Sequence, residues 1–193
     1  MPVLPWMAME SNDGFESTLL AARAGAEWAW RALYEDLAPS LTRYARASRV
    51  EDPENLVGDV FLSAVRTLGR FEGDRRGFRA WMFALTRNAV IDERRKVVRR
   101  RTEPVPAEAL AELGPRADAE QEALGVLAET RVRAAIAGLT PDQRDVLLMR
   151  ILGDLTIEEV ATVLGKRPGA VKALQARGLE QIRRKIASGA VTL

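Results

Sequence analysis

The spacing of the apolar residues restricts this chain more than any other feature. Leu56, Val57, Val60, Phe61, Ala64, Val65 and Leu68 recur every three or four positions, the period of one helix face. Gly69 and Gly73 interrupt the stripe, and Phe78, Trp81, Met82, Leu85 and Ala89 resume it. Trp28 to Tyr44 reads as one helix or a pair interrupted at Pro39, since proline lacks the amide hydrogen of a regular turn. No segment alternates polar and apolar residues as a half-buried strand does. An all-α fold is expected, and 193 residues leave room for two small helical domains. From Thr102 to Ala119 the texture changes. Pro104, Pro106, Gly114 and Pro115 mark a flexible linker with one weak helical turn around Ala107–Leu113. The expected organisation is a flexible N-terminus over 1–16, a helical domain over 17–101, the linker over 102–119 and a second helical domain over 120–193.

The second domain carries its own punctuation. Thr140-Pro141-Asp142-Gln143 starts a helix, with Thr as cap, Pro in the first turn and Gln three residues on. The mostly apolar run Val146–Leu152 follows and ends at Gly153. Thr156-Ile157-Glu158-Glu159 is a second capping box, whose helix carries Val160, Ala161 and Leu164. Gly165 suits the left-handed turn, and Pro168 opens another helix anchored by Val171 and Leu174. Two helices that cross steeply need a small residue at the contact, here Ala161. This order is that of a helix-turn-helix, which places its second helix in the major groove of DNA. That helix also bears Lys172, Gln175 and Arg177, with Arg183, Arg184 and Lys185 beyond. Lys and Arg hold phosphates or guanine edges, and Gln reads adenine.

Charge is segregated although the whole chain is only +2. Residues 1–55 hold 9 acids and 5 bases, and residues 56–101 hold 5 acids and 12 bases. Residues 102–165 hold 12 acids and 5 bases, and residues 166–193 hold 1 acid and 7 bases. Two basic segments far apart in sequence suit two contacts with one nucleic acid. The first of them mixes cations with rings: Arg70, Phe71, Arg75, Arg76, Phe78, Arg79, Trp81, Phe83, Arg87 and Asn88, then Arg94, Arg95, Lys96, Arg99, Arg100 and Arg101. Single-stranded nucleic acid is held by such a mixture, bases on rings and phosphates on cations. Phe78 and Met82 lie on the apolar stripe and belong to the core. Trp81 and Phe83 suit either the core or DNA.

Other functions lose ground. The chain has no Cys and no His, so it lacks disulfides, thiolate zinc sites and the commonest general base. There is no glycine-rich phosphate loop, and the 27 acids are scattered over helical faces. A carboxylate-metal nuclease would need those acids clustered. No enzyme activity and no cofactor or metal are expected. The opening Met1-Pro2-Val3-Leu4-Pro5-Trp6 lacks the basic flank and apolar core of a signal peptide, and no run approaches a membrane span. A cytoplasmic protein without membrane insertion is expected, starting at Met1, Met7 or Met9.

Several of these segments also resemble a known family. Asp52-Pro-Glu-Asn-Leu-Val-Gly-Asp-Val-Phe-Leu62, Arg70-Phe-Glu-Gly-Asp74, Phe78-Arg-Ala-Trp-Met-Phe83 and Arg87-Asn-Ala-Val-Ile-Asp-Glu-Arg-Arg-Lys96 resemble region 2 of extracytoplasmic-function (ECF) sigma factors. Leu139-Thr-Pro-Asp-Gln-Arg-Asp-Val-Leu-Leu148, Thr156-Ile-Glu-Glu-Val-Ala161, Gly165 and Gly169-Ala-Val-Lys172 resemble their region 4. The second half alone also resembles the DNA-binding domain of LuxR-type regulators, so a stand-alone helix-turn-helix regulator is the rival reading. The resemblance to sigma factors implies a subunit that directs RNA polymerase to promoters. It implies that Asn55, Asp59 and Leu62 contact the core polymerase. It implies that Phe71, Arg75, Arg76, Arg79, Trp81, Phe83, Arg87, Asn88, Asp92 and Arg95 lie at the melted −10 element. Arg167, Ala170, Lys172, Ala173, Gln175, Ala176 and Arg177 would read the −35 duplex, and an anti-sigma factor is an expected partner. The chain departs from the family at Asn55 and Gly58, where Asp and Gln are frequent, and at Ala170 and Ala173, where hydroxyl residues are common.

Overall fold

The computed structural model describes residues 12–102 and 134–189. The candidate start sites, most of the expected linker and the first part of the second domain lie outside them. The described chain is helical. Helices α1 (Asn12–Arg23), α2 (Glu27–Ala47), α3 (Pro53–Thr67) and α4 (Arg75–Thr102) form the first half, and α5 (Pro141–Leu152), α6 (Ile157–Leu164) and α7 (Pro168–Ala187) the second.

Helix α1 begins at Asn12, so residues 12–16 belong to the fold and not to a flexible arm. The reason is Phe15, which is buried with its ring 5.6 Å from that of Phe78. The Trp30 indole N–H donates to the Ala22 carbonyl at 3.0 Å and ties α2 to α1. Helix α2 runs unbroken through Pro39. Pro39 is exposed, so the backbone group it leaves unpaired faces water, while Leu33, Leu37, Leu41 and Tyr44 line the buried side.

Helix α3 is capped by Asp52, whose carboxylate accepts from the Asn55 amide at 3.0 Å, with Pro53 in the first turn. Leu56, Val57, Val60, Phe61 and Ala64 of its stripe are buried, but Val65 is half in solvent. A short 3-10 turn, Leu68–Arg70, and extended backbone at Phe71 reverse the chain into α4. Phe78 and Met82 of the second stripe are fully buried, and Trp81, Leu85 and Ala89 pack around them.

Both capping boxes of the second half are formed. Thr140 accepts from the Gln143 amide, and Thr156 from the Glu159 amide, with each partner side chain bonded back. Gly165 has φ +61°, a left-handed conformation that any β-carbon would strain. Gly178 of α7 lies on α5 so closely that a β-carbon there would be 3.0 Å from a Leu147 methyl.

The two halves do not stand apart. Phe83 and Val90 of α4 belong to the same apolar cluster as Val146, Met149, Leu155, Val160 and Val171. Among the described residues no helix is long and apolar enough to cross a membrane.

Candidate nucleic-acid interface

Helix α7 has two faces. Val171 is fully buried and Leu174 packs on the core, which fixes the helix against α5 and α6. Ala161, the small residue expected at the helix crossing, is buried at 4% exposure. The opposite face presents Arg167, Ala170, Lys172, Ala173, Ala176 and Arg177 to solvent, with Gln175 half-buried beside them. Lys166 pairs with Asp142 at 2.8 Å and holds the turn to α5. The seven residues expected at duplex DNA therefore share one region of a rigidly seated helix.

Helix α3 likewise turns Asn55, Asp59 and Leu62 outward, spaced four and three residues apart. Leu62 is 57% exposed although it is apolar. Gly58 lies between them with open space around its α-carbon.

Helix α4 distributes its expected site residues among three environments. Asn88, Asp92 and Arg95 are exposed, with Arg95 3.3 Å from Asp92. Arg75 and Arg79 converge on Asp36 of α2, at 3.2 and 3.6 Å. Arg76 and Arg87 reach across to the second half. The Arg76 guanidinium donates to the Glu159 carboxylate at 3.0 Å and to the Asp154 carbonyl at 3.3 Å. Arg87 donates to Asp145 at 2.7 Å, and the Tyr44 hydroxyl donates to the other oxygen of that carboxylate at 3.0 Å.

The rings do not all offer stacking faces. Phe71 is buried, 5.4 Å from Phe78 and 5.2 Å from Trp81, and packs behind Trp81. Trp81 is partly exposed. Phe83 is fully buried and meets Tyr44 edge-on at 5.7 Å. Gly153 seats against it, because a β-carbon at 153 would lie 3.0 Å from two Phe83 ring carbons. Phe83 is therefore a core residue in this arrangement.

Asp145 escaped the sequence reading. Its signal was register: Asp145, Leu148, Met149 and Leu152 share one face of α5, so an acid sits in line with core residues. Burial, and next the Asp145 charge, push the Tyr44 hydroxyl well above its ordinary value. Partial burial works to raise the Glu159 carboxyl, but hydrogen bonds from Arg76 and Thr156 outweigh it and leave it below the ordinary value. Burial, followed by the charges of Arg94 and Arg49, lowers Arg144. Asp145 thus has Arg87 and Arg144 beside it, with the charges of Arg94 and Arg49 bearing on Arg144, and the Ser48 hydroxyl and Arg144 Nε are buried without a hydrogen-bond partner.

This pairing of a basic helix with a helix-turn-helix defines a nucleic-acid-binding protein, and comparison with known proteins sharpens it. Residues 33–101 match Sigma-70 region 2, and residues 129–182 match Sigma-70, region 4. The chain is 32% identical over 165 residues to the ECF RNA polymerase sigma factor BldN of Streptomyces coelicolor, covering 84% of this chain and 62% of BldN. It is 29% identical over 195 residues to the ECF RNA polymerase sigma factor SigD of Mycobacterium tuberculosis, covering 96% of this chain and 90% of SigD. Its fold is similar to that of CnrH, solved in complex with the cytosolic domain of CnrY, with a TM-score of 0.67 at 20% identity over 89% of this chain and 96% of CnrH. The chain belongs to the sigma-70 family of RNA polymerase sigma factors. Within that family its similarity is to the ECF group.

Proposed function

We propose that this sigma factor acts by dividing promoter recognition between its halves, with no catalytic step of its own. The exposed face Asn55–Asp59–Leu62 docks on the core polymerase. The outward face of α7 binds the −35 duplex through Arg167, Lys172, Gln175 and Arg177, with Ala170, Ala173 and Ala176 allowing close approach. Few hydroxyl donors on that face favour readout through apolar contact and DNA shape. Helix α4 holds the opened −10 strand: Arg75, Arg76, Arg79, Arg87 and Arg95 meet phosphates, Asn88 and Asp92 meet base edges, and Trp81 offers the stacking ring. Stacking and backbone contacts offset the few kcal/mol of unstacking, so strand capture needs no nucleotide hydrolysis. RNA synthesis belongs to the polymerase. The reading extends to a cytoplasmic location, to two modules, the first beginning with α1 at Asn12 instead of 17 and ending at 101 and the second over 120–193, and to an anti-sigma partner. CnrH, similar in fold, was solved bound to a cytosolic domain.

The observation that carries this reading is the occurrence of regions 2 and 4, in that order, on one chain. A stand-alone regulator would need the second alone. The test is transcription in vitro by purified core polymerase with the full chain on a genomic promoter library. Specific transcripts that depend on the chain are expected. Folded chain and active core that yield no chain-dependent transcript would refute it.

A further inference from the structure

We propose that Arg23 of α1 is a positioning residue for the stacking ring of Trp81, acting through Phe71 in the turn that leads into α4. This rests on the proposed role of α4 and names a residue outside α4 that sets its readiness for an unpaired base.

Arg23 lies 48 positions from Phe71, and its guanidinium donates to the Phe71 carbonyl. The Phe71 amide is already committed to the Leu68 carbonyl at 3.0 Å, so both backbone groups of this residue are held, one by its own turn and one by α1. An exposed arginine in a last turn ordinarily bonds the closing carbonyls of its own helix. Here the amides of Ala24, Gly25 and Ala26 and the Trp30 indole already use the carbonyls of Leu20, Ala22 and Ala21, and Arg23 crosses to another element. What it holds is the base of a column of rings. Phe71 meets Trp81 at 5.2 Å and 32°, and Phe78 at 5.4 Å and 79°. Phe78 lies 5.5 Å from Trp81 and 5.6 Å from Phe15 of α1. Of these four rings only Trp81 is partly exposed, so the other three form a fixed backing for it. The turn adds restraints of its own. Gly73 has φ +152° and lies so near the Phe71 ring that a β-carbon there would be 3.1 Å from Cζ. The Asp74 carboxylate accepts from the Gly77 amide at 2.8 Å as α4 begins. A shift of the Phe71 carbonyl therefore moves a ring on which Trp81 leans. Base stacking is contact over a planar face, so an indole without a fixed backing loses overlap.

Fluorotryptophan in the full chain gives one fluorine resonance for each of its four tryptophans, and W81F identifies that of Trp81. R23A should shift or broaden the Trp81 resonance, leave that of exposed Trp28 in place, and change the melting temperature little. R23K keeps a cation and a donor and should restore the signal in large part. Binding of a labelled pool of random-sequence single-stranded DNA is then measured for core polymerase with and without the chain. W81A should weaken the chain-dependent affinity about fivefold or more, and R23A about threefold. The two losses should not add, so R23A in a W81A background should cost nothing further. R23A should also leave the salt dependence unchanged, whereas loss of a phosphate contact lowers the log–log slope by about 0.7. An unmoved Trp81 resonance in folded R23A overturns the positioning. Additive losses or a reduced salt slope overturn it in favour of a separate contact between Arg23 and DNA. If the resonance moves but the chain adds no single-strand affinity to core polymerase, Arg23 still positions Trp81 and the proposed role of α4 falls instead.

Discussion

Asp145 is the charged side chain most deeply buried among the described residues, and a carboxylate out of water survives only with partners. Tyr44 supplies one of its two hydrogen bonds. Y44F keeps the ring that meets Phe83 but removes that bond, and should cost about 2 kcal/mol in urea unfolding at neutral pH. The same substitution should change the alkaline limb. The folded chain raises the Tyr44 value, so its contribution is complete below the unfolded value, near 10, and is lost as pH rises through the folded value. Wild-type stability should fall steeply above about pH 10, and part of that fall should be missing in Y44F. On α7, by contrast, Lys172 is exposed. K172A should leave the melting temperature unchanged, weaken binding to a −35 duplex severalfold, and reduce the log–log salt dependence by about one unit.

Elements whose cause is local could be read from the sequence. Capping boxes at Thr140 and Thr156, the left-handed Gly165 and, Val65 apart, the stripes of α3 and α4 each involve residues within a few positions, and each formed as expected. The seam between the two halves could not be read this way. Its contacts join residues 58, 83 and 101 positions apart, and such pairs impose no period on the sequence. Phe83 shows the consequence, since it lies off the stripe of its own helix and is buried against Tyr44 of α2 and Gly153 of the other half. Two glycines test these levels separately. Gly58 has open space and lies inside α3, so G58A should stabilise by about 1 kcal/mol through helix propensity alone, read as a rise in melting temperature. Gly153 has no such room. A β-carbon there would meet the Met149 carbonyl at 2.7 Å and the Phe83 ring at 3.0 Å. G153A should cost about 1–3 kcal/mol, measured by denaturant unfolding.

For the molecule as a whole, Glu159 makes the contact between the two halves depend on acidity. Its carboxyl is held below the ordinary value by Arg76 and Thr156 despite partial burial. A group whose folded value is depressed contributes fully above its unfolded value, and the contribution is lost as pH falls through the folded value. Arg76 stays charged throughout, so protonation of Glu159 leaves a cation at the seam with one fewer partner. Acid should therefore open the halves while the helices, held by their own apolar faces, persist. Spin labels at R31C and S188C, exposed positions in opposite halves of a chain without native cysteine, should move apart as pH falls from 7 to about 3, before helical circular dichroism is lost. In E159Q the charge is already gone, so the closed fraction at neutral pH should be smaller and its dependence on acid shallower. Equal acid dependence in wild type and E159Q would assign the opening to other carboxylates, and coincident loss of separation and helicity would mean that the halves unfold together without first parting.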